Sequence, residues 1–291
     1  MIALGGVAAR RAPLTLASVS LEWGPGVHSV IGAPGDGAAL LLALLGGSAQ
    51  PRAGQIRVLG GPPTDAAVRT QVSRIPLEVT LPDALRVREA LDVAAEIRGE
   101  PARDAAERLA ALGVETLAGR TVRSLSRSEA RAVTLIEGLT SSRVRVLLFE
   151  EPLVAMDPRA AGRIPEALRS AARNGRAVVV ATASVRDAGE LADDHVLLRG
   201  GAIVGRATSV EALAGLSPEG ARLCVVARDD RGARALAARL AGEPDVEVVE
   251  RNGRSMRVRG SAPTTLARAV GRAVVAADVE VSELRVDEGA P

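Results

Sequence analysis

Two short stretches of the chain carry residue types that could do chemistry. Residues 32 to 40 read GAPGDGAAL and follow the apolar run VHSVI, which gives the Gly-x-x-x-x-Gly frame of a phosphate-binding loop. Such loops cradle phosphate with backbone N–H groups, and a Lys followed by Ser or Thr completes them. Those last two positions are Ala38 and Ala39 here. The second stretch, VLLFEEP, ends an apolar run in two carboxylates, Glu150 and Glu151.

Composition limits the classes of protein to consider. The 291 residues are 47% hydrophobic and 25% charged, which is ordinary for a soluble globular protein. Every basic residue is arginine, so no lysine elsewhere could replace the one missing at position 38. A net charge of +2, with Arg and Asp/Glu interspersed, gives no basic stripe for nucleic acid. A single cysteine, Cys224, excludes an internal disulfide and fits the reducing cytoplasm. No apolar stretch approaches the roughly 20 residues needed to cross a bilayer, so the protein is expected to be soluble or attached to the membrane only through a partner.

Hydrophobic patterning predicts the elements that position these stretches. Strands are expected at 14–23, 27–31, 55–60, 143–151 and 176–184, with a Gly-Gly hairpin at 195–206. Helices are expected at 39–45, 86–99, 102–113, 126–141 and about 159–173. Apolar strands separated by helices are typical of an α/β fold with a parallel sheet covered on both faces.

The composition changes at GLSPEG, residues 215–220. Beyond it the pattern predicts strand, helix, strand, strand, helix and strand, with an Asn-Gly turn between the middle strands. This βαββαβ order predicts a small α+β domain of ferredoxin-like type at 217–291, after a larger domain at 1–216.

An ordered series of motifs downstream of the glycine loop is more specific than the loop itself. The chain reads SLSRSEARAV from Ser124, then VLLFEEP, AMDP at 155–158 and VVVATAS at 178–184. This series resembles the ATP-binding cassette (ABC) ATPases, the nucleotide-binding subunits of ABC transporters, over roughly residues 1–215. The resemblance implies an ABC-type P-loop ATPase fold, with a mixed sheet core and a helical subdomain at about 80–140. The small domain is similar to the C-terminal extension of the multidrug and polysaccharide exporter subgroup.

The resemblance also assigns site residues position by position. It places the catalytic glutamate at Glu151, and the nucleotide-binding positions at Gly32, Gly35, Gly37, Ala38, Ala39, Leu77, Ser126, Ser128, Glu129, Glu150, Asp157 and Ala183. At several of these positions the family's polar group is missing. Its phosphate lysine is Ala38, its Mg²⁺-binding hydroxyl is Ala39, its glutamine is Leu77 and its switch histidine is Ala183. The family's Leu-Ser-Gly-Gly-Gln signature reads Leu-Ser-Arg-Ser-Glu at residues 125–129.

These losses predict a weakened nucleotide site. Charge-assisted contacts are worth roughly 1.5–3 kcal/mol each, so losing the lysine, hydroxyl and histidine together would weaken binding by orders of magnitude. Asp36 is expected to add a negative charge beside the phosphate position. No metal site is expected with certainty, and ATP and Mg²⁺ would bind weakly or not at all.

Structural explanations stand beside the functional ones. The glycine turn could be retained because the sheet needs it, and Glu150 with Glu151 could be a solvated pair at a strand end. Asp157 could cap the helix that begins at Pro158. Ser126 or Ser128 could cap the helix predicted at 126–141.

Three functional hypotheses remain open. The first is a pseudo-ATPase with a structural or regulatory role in an ABC export complex. It would contact a transmembrane permease subunit and pair as a homodimer, or as a heterodimer with a competent ABC ATPase. The second is an active subunit that hydrolyses ATP to drive export. The third is an interaction scaffold with no role in transport.

Overall fold

The computed structural model describes residues 1–78, 81–209, 212, 221–244, 246–260 and 263–286. The chain divides into two compact units, Met1–Val210 and Glu211–Pro291. In the larger unit the strands are β1 (Ile2–Arg11), β2 (Leu14–Trp23), β3 (Gly26–Ile31), β4 (Ala53–Val58), β5 (Val72–Ile75), β6 (Val146–Glu150), β7 (Ala177–Thr182), β8 (Asp194–Arg199) and β9 (Ala202–Ala207). Its helices are α1 (Ala38–Leu45), α2 (Ala66–Arg69), α3 (Val87–Ile97), α4 (Ala105–Ala110), α5 (Arg127–Thr140), α6 (Pro158–Ala161), α7 (Ile164–Arg173) and α8 (Val185–Leu191).

A six-stranded sheet in the order β5-β6-β7-β3-β8-β9 forms the centre of the larger unit. The pairs from β5 to β8 are parallel, and β9 pairs antiparallel with β8. Every side chain of β7 is buried, as expected of a strand covered on both faces. The predicted parallel sheet and its terminal hairpin are therefore confirmed. The strand β3, which leads into the glycine loop, lies between β7 and β8.

A second, three-stranded antiparallel sheet has the order β2-β1-β4. The sequence analysis missed β1, because Gly5 and Gly6 interrupt its alternation where the register shifts. It also missed β5, since VSRI is only four residues long and half polar.

The helix predicted at about 159–173 is two helices, α6 and α7. Pro165 lies in the first turn of α7. Within a continuous helix its ring would clash with the carbonyl of Ala161 and its backbone could not donate. The prediction of one helix was therefore wrong, and the chain breaks at Gly162 and Arg163.

The smaller unit has its own sheet and core. It contains β10 (Ala221–Ala227), α9 (Asp230–Leu240), β11 (Val248–Asn252), β12 (Ser255–Gly260), α10 (Pro263–Ala277) and β13 (Val281–Val286). The antiparallel sheet has the order β11-β12-β10-β13, the arrangement of ferredoxin-like βαββαβ folds. Leu223, Val225, Leu236, Met256 and Leu266 are among its buried core residues.

Candidate nucleotide site

The glycine loop connects the central strand to a buried helix. Gly32 donates its N–H to the carbonyl of Thr182 at the end of β7, 3.1 Å away. The helix α1 begins at Ala38, and all but one of its residues are buried. The loop therefore lies at the carboxyl ends of β3, β6 and β7, the edge at which open α/β sheets bind ligands.

Left-handed backbone conformations shape this loop at two glycines. Gly35 has a φ of 115° and Gly37 a φ of 99°. A Cβ on Gly37 would also lie 2.7 Å from the carbonyl oxygen of Thr15, whereas a Cβ on Gly35 would meet nothing within 4 Å. The loop geometry thus requires glycine at position 37 for two separate reasons.

We expect Gly37→Ala to lower the free energy of unfolding by about 2–4 kcal/mol, from backbone strain plus overpacking. The matched variant Gly35→Ala should cost only about 1–2 kcal/mol, because it carries the strain alone. Urea unfolding followed by the fluorescence of Trp23, the chain's single tryptophan, measures both. Equal losses in the two variants would contradict the assigned contact with Thr15.

A small cavity of about 170 Å³ lies inside the loop. Its lining is Leu14, Gly32, Ala33, Pro34, Gly35, Gly37, Ala38, Ala39, Leu77, Glu150, Glu151, Ala181 and Thr182. It brings together many of the residues singled out from the sequence, and among the described residues that line it none has a basic side chain. It is also smaller than the roughly 300 Å³ at which pockets for small molecules begin.

Asp36 does not line the cavity itself, but it is bound to a loop residue that does. Its carboxylate accepts the N–H of Ala33 at 2.8 Å and that of Gly200 at 2.9 Å. The guanidinium of Arg199 lies 3.4 Å from the same carboxylate. Asp36 therefore ties the glycine loop to the turn between β8 and β9, and Arg199 lies against its negative charge.

Glu150 is bound by an arginine from the neighbouring strand. The Arg74 Nη2 lies 2.5 Å from Glu150 Oε1, and Nε lies 3.1 Å from the same oxygen. Only 13% of the Glu150 side chain is exposed. The strand end therefore carries a half-buried ion pair where the sequence analysis allowed for a solvated pair of carboxylates.

Glu151 is engaged by the next strand. Its Oε2 accepts the hydroxyl of Thr182 at 2.8 Å, and its Oε1 accepts the backbone N–H of Ala183 at 2.7 Å. Its own N–H donates to the carbonyl of Ala181, and its backbone has a φ of 46°. Each carboxylate oxygen thus has a partner within the chain, while Glu151 also lines the cavity.

Arg131 lies behind both glutamates, with 1% of the residue exposed. Its Nη1 donates to the carbonyls of Pro76 and Leu77, and its Nη2 donates to those of Glu150 and Glu151. Burial lowers the pKa of this guanidinium, while the two nearby carboxylates act in the opposite direction. One side chain of α5 therefore joins the loop after β5 to the loop after β6.

The signature residues do not line the cavity and form the start of α5 instead. The hydroxyl of Ser126 accepts the N–H of Glu129 at 3.2 Å, and the Glu129 carboxylate accepts the N–H of Ser126 at 2.7 Å. This reciprocal capping box confirms Ser126 as the cap. The hydrogen bond from the Ser126 backbone, with help from Arg120, lowers the pKa of Glu129. Ser128 lies one residue into the helix, with its hydroxyl 3.4 Å from that of Ser126.

Asp157 caps α6 by accepting the N–H of Arg159 at 2.9 Å, which confirms its structural role. Like the signature residues, it does not line the cavity.

The residues present do not fit Mg²⁺ with ATP. The position after the loop offers the methyl group of Ala39, Glu150 is paired with Arg74, and both oxygens of Glu151 are engaged. In the parts of the chain that the structure describes, no three His, Cys, Asp or Glu side chains are grouped to hold a metal ion. Within those same parts, no helix has the length and apolar character needed to cross a membrane.

The fold and the glycine loop define an ABC-type P-loop ATPase architecture. The family model described as "ABC transporter" matches residues 16–154. The hemin import ATP-binding protein HmuV of Thermobifida fusca is 30% identical over 198 residues, which cover 65% of this chain and 69% of HmuV. The chain belongs to the ATP-binding proteins of ABC transporters.

Other relatives have different transport roles in their names. The ribose import ATP-binding protein RbsA of a Chelativorans species is 30% identical, covering 61% of this chain but only 37% of RbsA. The daunorubicin resistance ATP-binding protein DrrA3 of Streptomyces coeruleorubidus is 28% identical, covering 70% of this chain and 65% of DrrA3. The chain thus spans little more than a third of RbsA. A solved structure described as the ATP-binding subunit of an ABC transporter shares the fold, with a TM-score of 0.66 and 20% identity over 72% of this chain and 90% of that one.

Sequence reasoning missed Arg74, Arg131 and Thr182. For Arg131 a signal existed, because it shares a helical face with Leu135 and Gly138, both buried. An arginine inside an apolar stripe indicates a buried guanidinium with specific acceptors. For Arg74 no comparable signal existed, since its partner Glu150 is distant in sequence and only the pairing of β5 with β6 brings the two together.

Proposed function

We propose that this chain is an ABC transporter ATP-binding subunit that neither binds Mg-ATP tightly nor hydrolyses it. Its role would be structural or regulatory, in a complex that exports its substrate. The observation that carries the proposal is the state of the two carboxylates. Glu150 is paired with Arg74, and each oxygen of Glu151 already accepts one hydrogen bond, from Thr182 or from Ala183. Ala38 and Ala39 supply neither a cation nor a hydroxyl opposite them.

The partners follow from the family. We propose a transmembrane permease subunit as the partner that brings the chain to the inner face of the membrane from the cytoplasm. A second ATP-binding subunit, either another copy or a competent relative, would complete the dimer. The similarity to a daunorubicin resistance protein supports export, whereas the ribose and hemin import proteins show that relatives with import names are equally similar. We do not propose nucleic acid as a partner.

An active ATPase is the second candidate, and one observation favours it. The glycine frame is intact, and Glu151 lines the same cavity as Gly32, Gly35 and Gly37. Hydrolysis by this site would use Glu151 as the base toward water, so it would depend on that carboxylate. An interaction scaffold without a transport role differs from both candidates in needing no permease partner.

Phosphate release from excess Mg-ATP tests the proposal. We expect the purified chain and its Glu151→Gln variant to release phosphate at the same background rate. Gln retains one acceptor for Thr182 or Ala183, so the variant should keep the fold. Equal release in both preparations would come from a contaminating ATPase and agree with the proposal. Release by the native chain that falls at least about 10-fold in Glu151→Gln would contradict it.

A further inference from the structure

We propose that Arg74 takes, at Glu150, the place of a divalent metal ion, so that this loop is a metal-independent site. Any nucleotide that it holds would be held without Mg²⁺. The inference rests on the proposed function, because it explains how a loop of this fold dispenses with its metal.

The contact itself is the first support. Both Nε and Nη2 of Arg74 donate to the same carboxylate oxygen, Oε1 of Glu150, and the two side chains are 27% and 13% exposed. The ion pair as a whole has no net charge, so it attracts a cation less than a lone carboxylate would. A metal ion at Glu150 would have to displace the guanidinium or stand beside it against its repulsion.

The position of Arg74 in the sheet is the second support. The parallel register pairs Arg74 with Leu148, two residues before Glu150 at the end of β6. The arginine stem runs beside Gly46, where an added Cβ would lie 3.3 Å from Arg74 Cδ. The head reaches past it, with Nη1 3.4 Å from the hydroxyl of Ser48. The end of α1 thus leaves room for this stem, and Ser48 gives the head a second acceptor.

The shortage of other free oxygen ligands at the cavity is the third support. Mg²⁺ requires six oxygen ligands in nearly octahedral order and gives up its water reluctantly. Ala39 has no hydroxyl, and the oxygens of Glu151 accept from Thr182 and Ala183. Arg74, by contrast, needs only Oε1 of Glu150, to which both its Nε and its Nη2 donate.

The test restores the loop and then removes the arginine. ATP is titrated by calorimetry into an Ala38→Lys, Ala39→Ser variant and into the same variant with Arg74→Ala added, once with excess Mg²⁺ and once with EDTA. We expect the first variant to bind ATP with affinities that agree within about 3-fold in the two conditions. Adding Arg74→Ala should make binding in Mg²⁺ at least about 10-fold tighter than in EDTA, the gain from one charge-assisted contact.

Matched variants make the result specific. Arg69→Ala in the same background removes an exposed arginine of α2 and should leave binding as it was. Arg74→Gln removes the charge but keeps an N–H donor, so it serves if circular dichroism shows that Arg74→Ala does not fold. We expect Arg74→Gln to show the same Mg²⁺ dependence of ATP binding as Arg74→Ala.

Two outcomes would overturn the proposal. One is strong Mg²⁺ dependence while Arg74 is still present, and the other is no gain in Mg²⁺ dependence when it is removed. Absence of ATP binding in every variant would also overturn it, since it requires a loop that works once Lys and Ser are restored. Tight Mg-ATP binding by the native chain would instead contradict the proposed function, so the two failures are distinguishable.

Discussion

Replacing Arg131 by methionine should lower the free energy of unfolding of the larger unit by at least about 3 kcal/mol. Methionine fills much of the same volume but donates no hydrogen bond. The partly buried carbonyls of Pro76, Leu77, Glu150 and Glu151 would lose this donor. A buried polar group left unsatisfied costs about 1–3 kcal/mol, and several are affected together.

The stability lost in Arg131→Met cannot be regained by also replacing the partner groups with apolar ones, as is possible for some buried ion pairs. Apolar replacement can be neutral when both partners are replaced, but the acceptors here are backbone carbonyls that every variant retains. Urea unfolding followed by Trp23 fluorescence measures the effect. The matched control is Arg127→Met, on an exposed position of the same helix, which should change the stability by less than about 0.5 kcal/mol. Equal stability of Arg131→Met and the native chain would show that the guanidinium does not join the two loops.

Restoring Lys at position 38 and Ser at position 39 should strengthen ATP binding by about 100-fold or more. The lysine adds a charge-assisted contact to phosphate, worth roughly 1.5–3 kcal/mol, and the hydroxyl adds a further hydrogen bond. The gain is expected because the loop frame is already in place, from Gly32 at the end of β3 to the first turn of α1.

Calorimetry of the native chain and the double variant gives this comparison directly. The control is Ala38→Met with Ala39→Val, which adds bulk at the same positions without charge or hydroxyl. If the control gains as much affinity as the double variant, the lost side-chain chemistry is not what weakens the native site. If the Ala38→Lys, Ala39→Ser variant gains no affinity for ATP, the backbone of the loop is not in a phosphate-binding conformation.

Elements whose formation depends on neighbouring residues could be predicted from the sequence, whereas elements that depend on pairing with distant segments could not. Long apolar strands such as β7 and the capped helix α5 follow from periodicity and a cap residue, which act within a few neighbours. The strand β5 could not be predicted, because four half-polar residues become a strand only by pairing with β6. The break between α6 and α7 was readable from Pro165 and was overlooked.

For the site, sequence showed which chemical groups were absent but not what had replaced them. The missing lysine and the missing hydroxyl are visible directly in the sequence, because alanine stands at positions 38 and 39. The pairing of Glu150 with Arg74 and that of Asp36 with Arg199 depend on contacts between distant segments. These contacts show that Glu150 is paired with an arginine and that Glu151 is hydrogen-bonded to the end of β7, neither of which the sequence revealed.

The most direct test of the central claim is a calorimetric titration of the native chain with Mg-ATP up to millimolar concentration. The occupied carboxylates and the two alanines predict no saturable binding, which places any dissociation constant above about 1 mM, or a binding free energy weaker than about −4 kcal/mol. A saturable isotherm with a micromolar dissociation constant would contradict the account and identify this loop as a working Mg-ATP site.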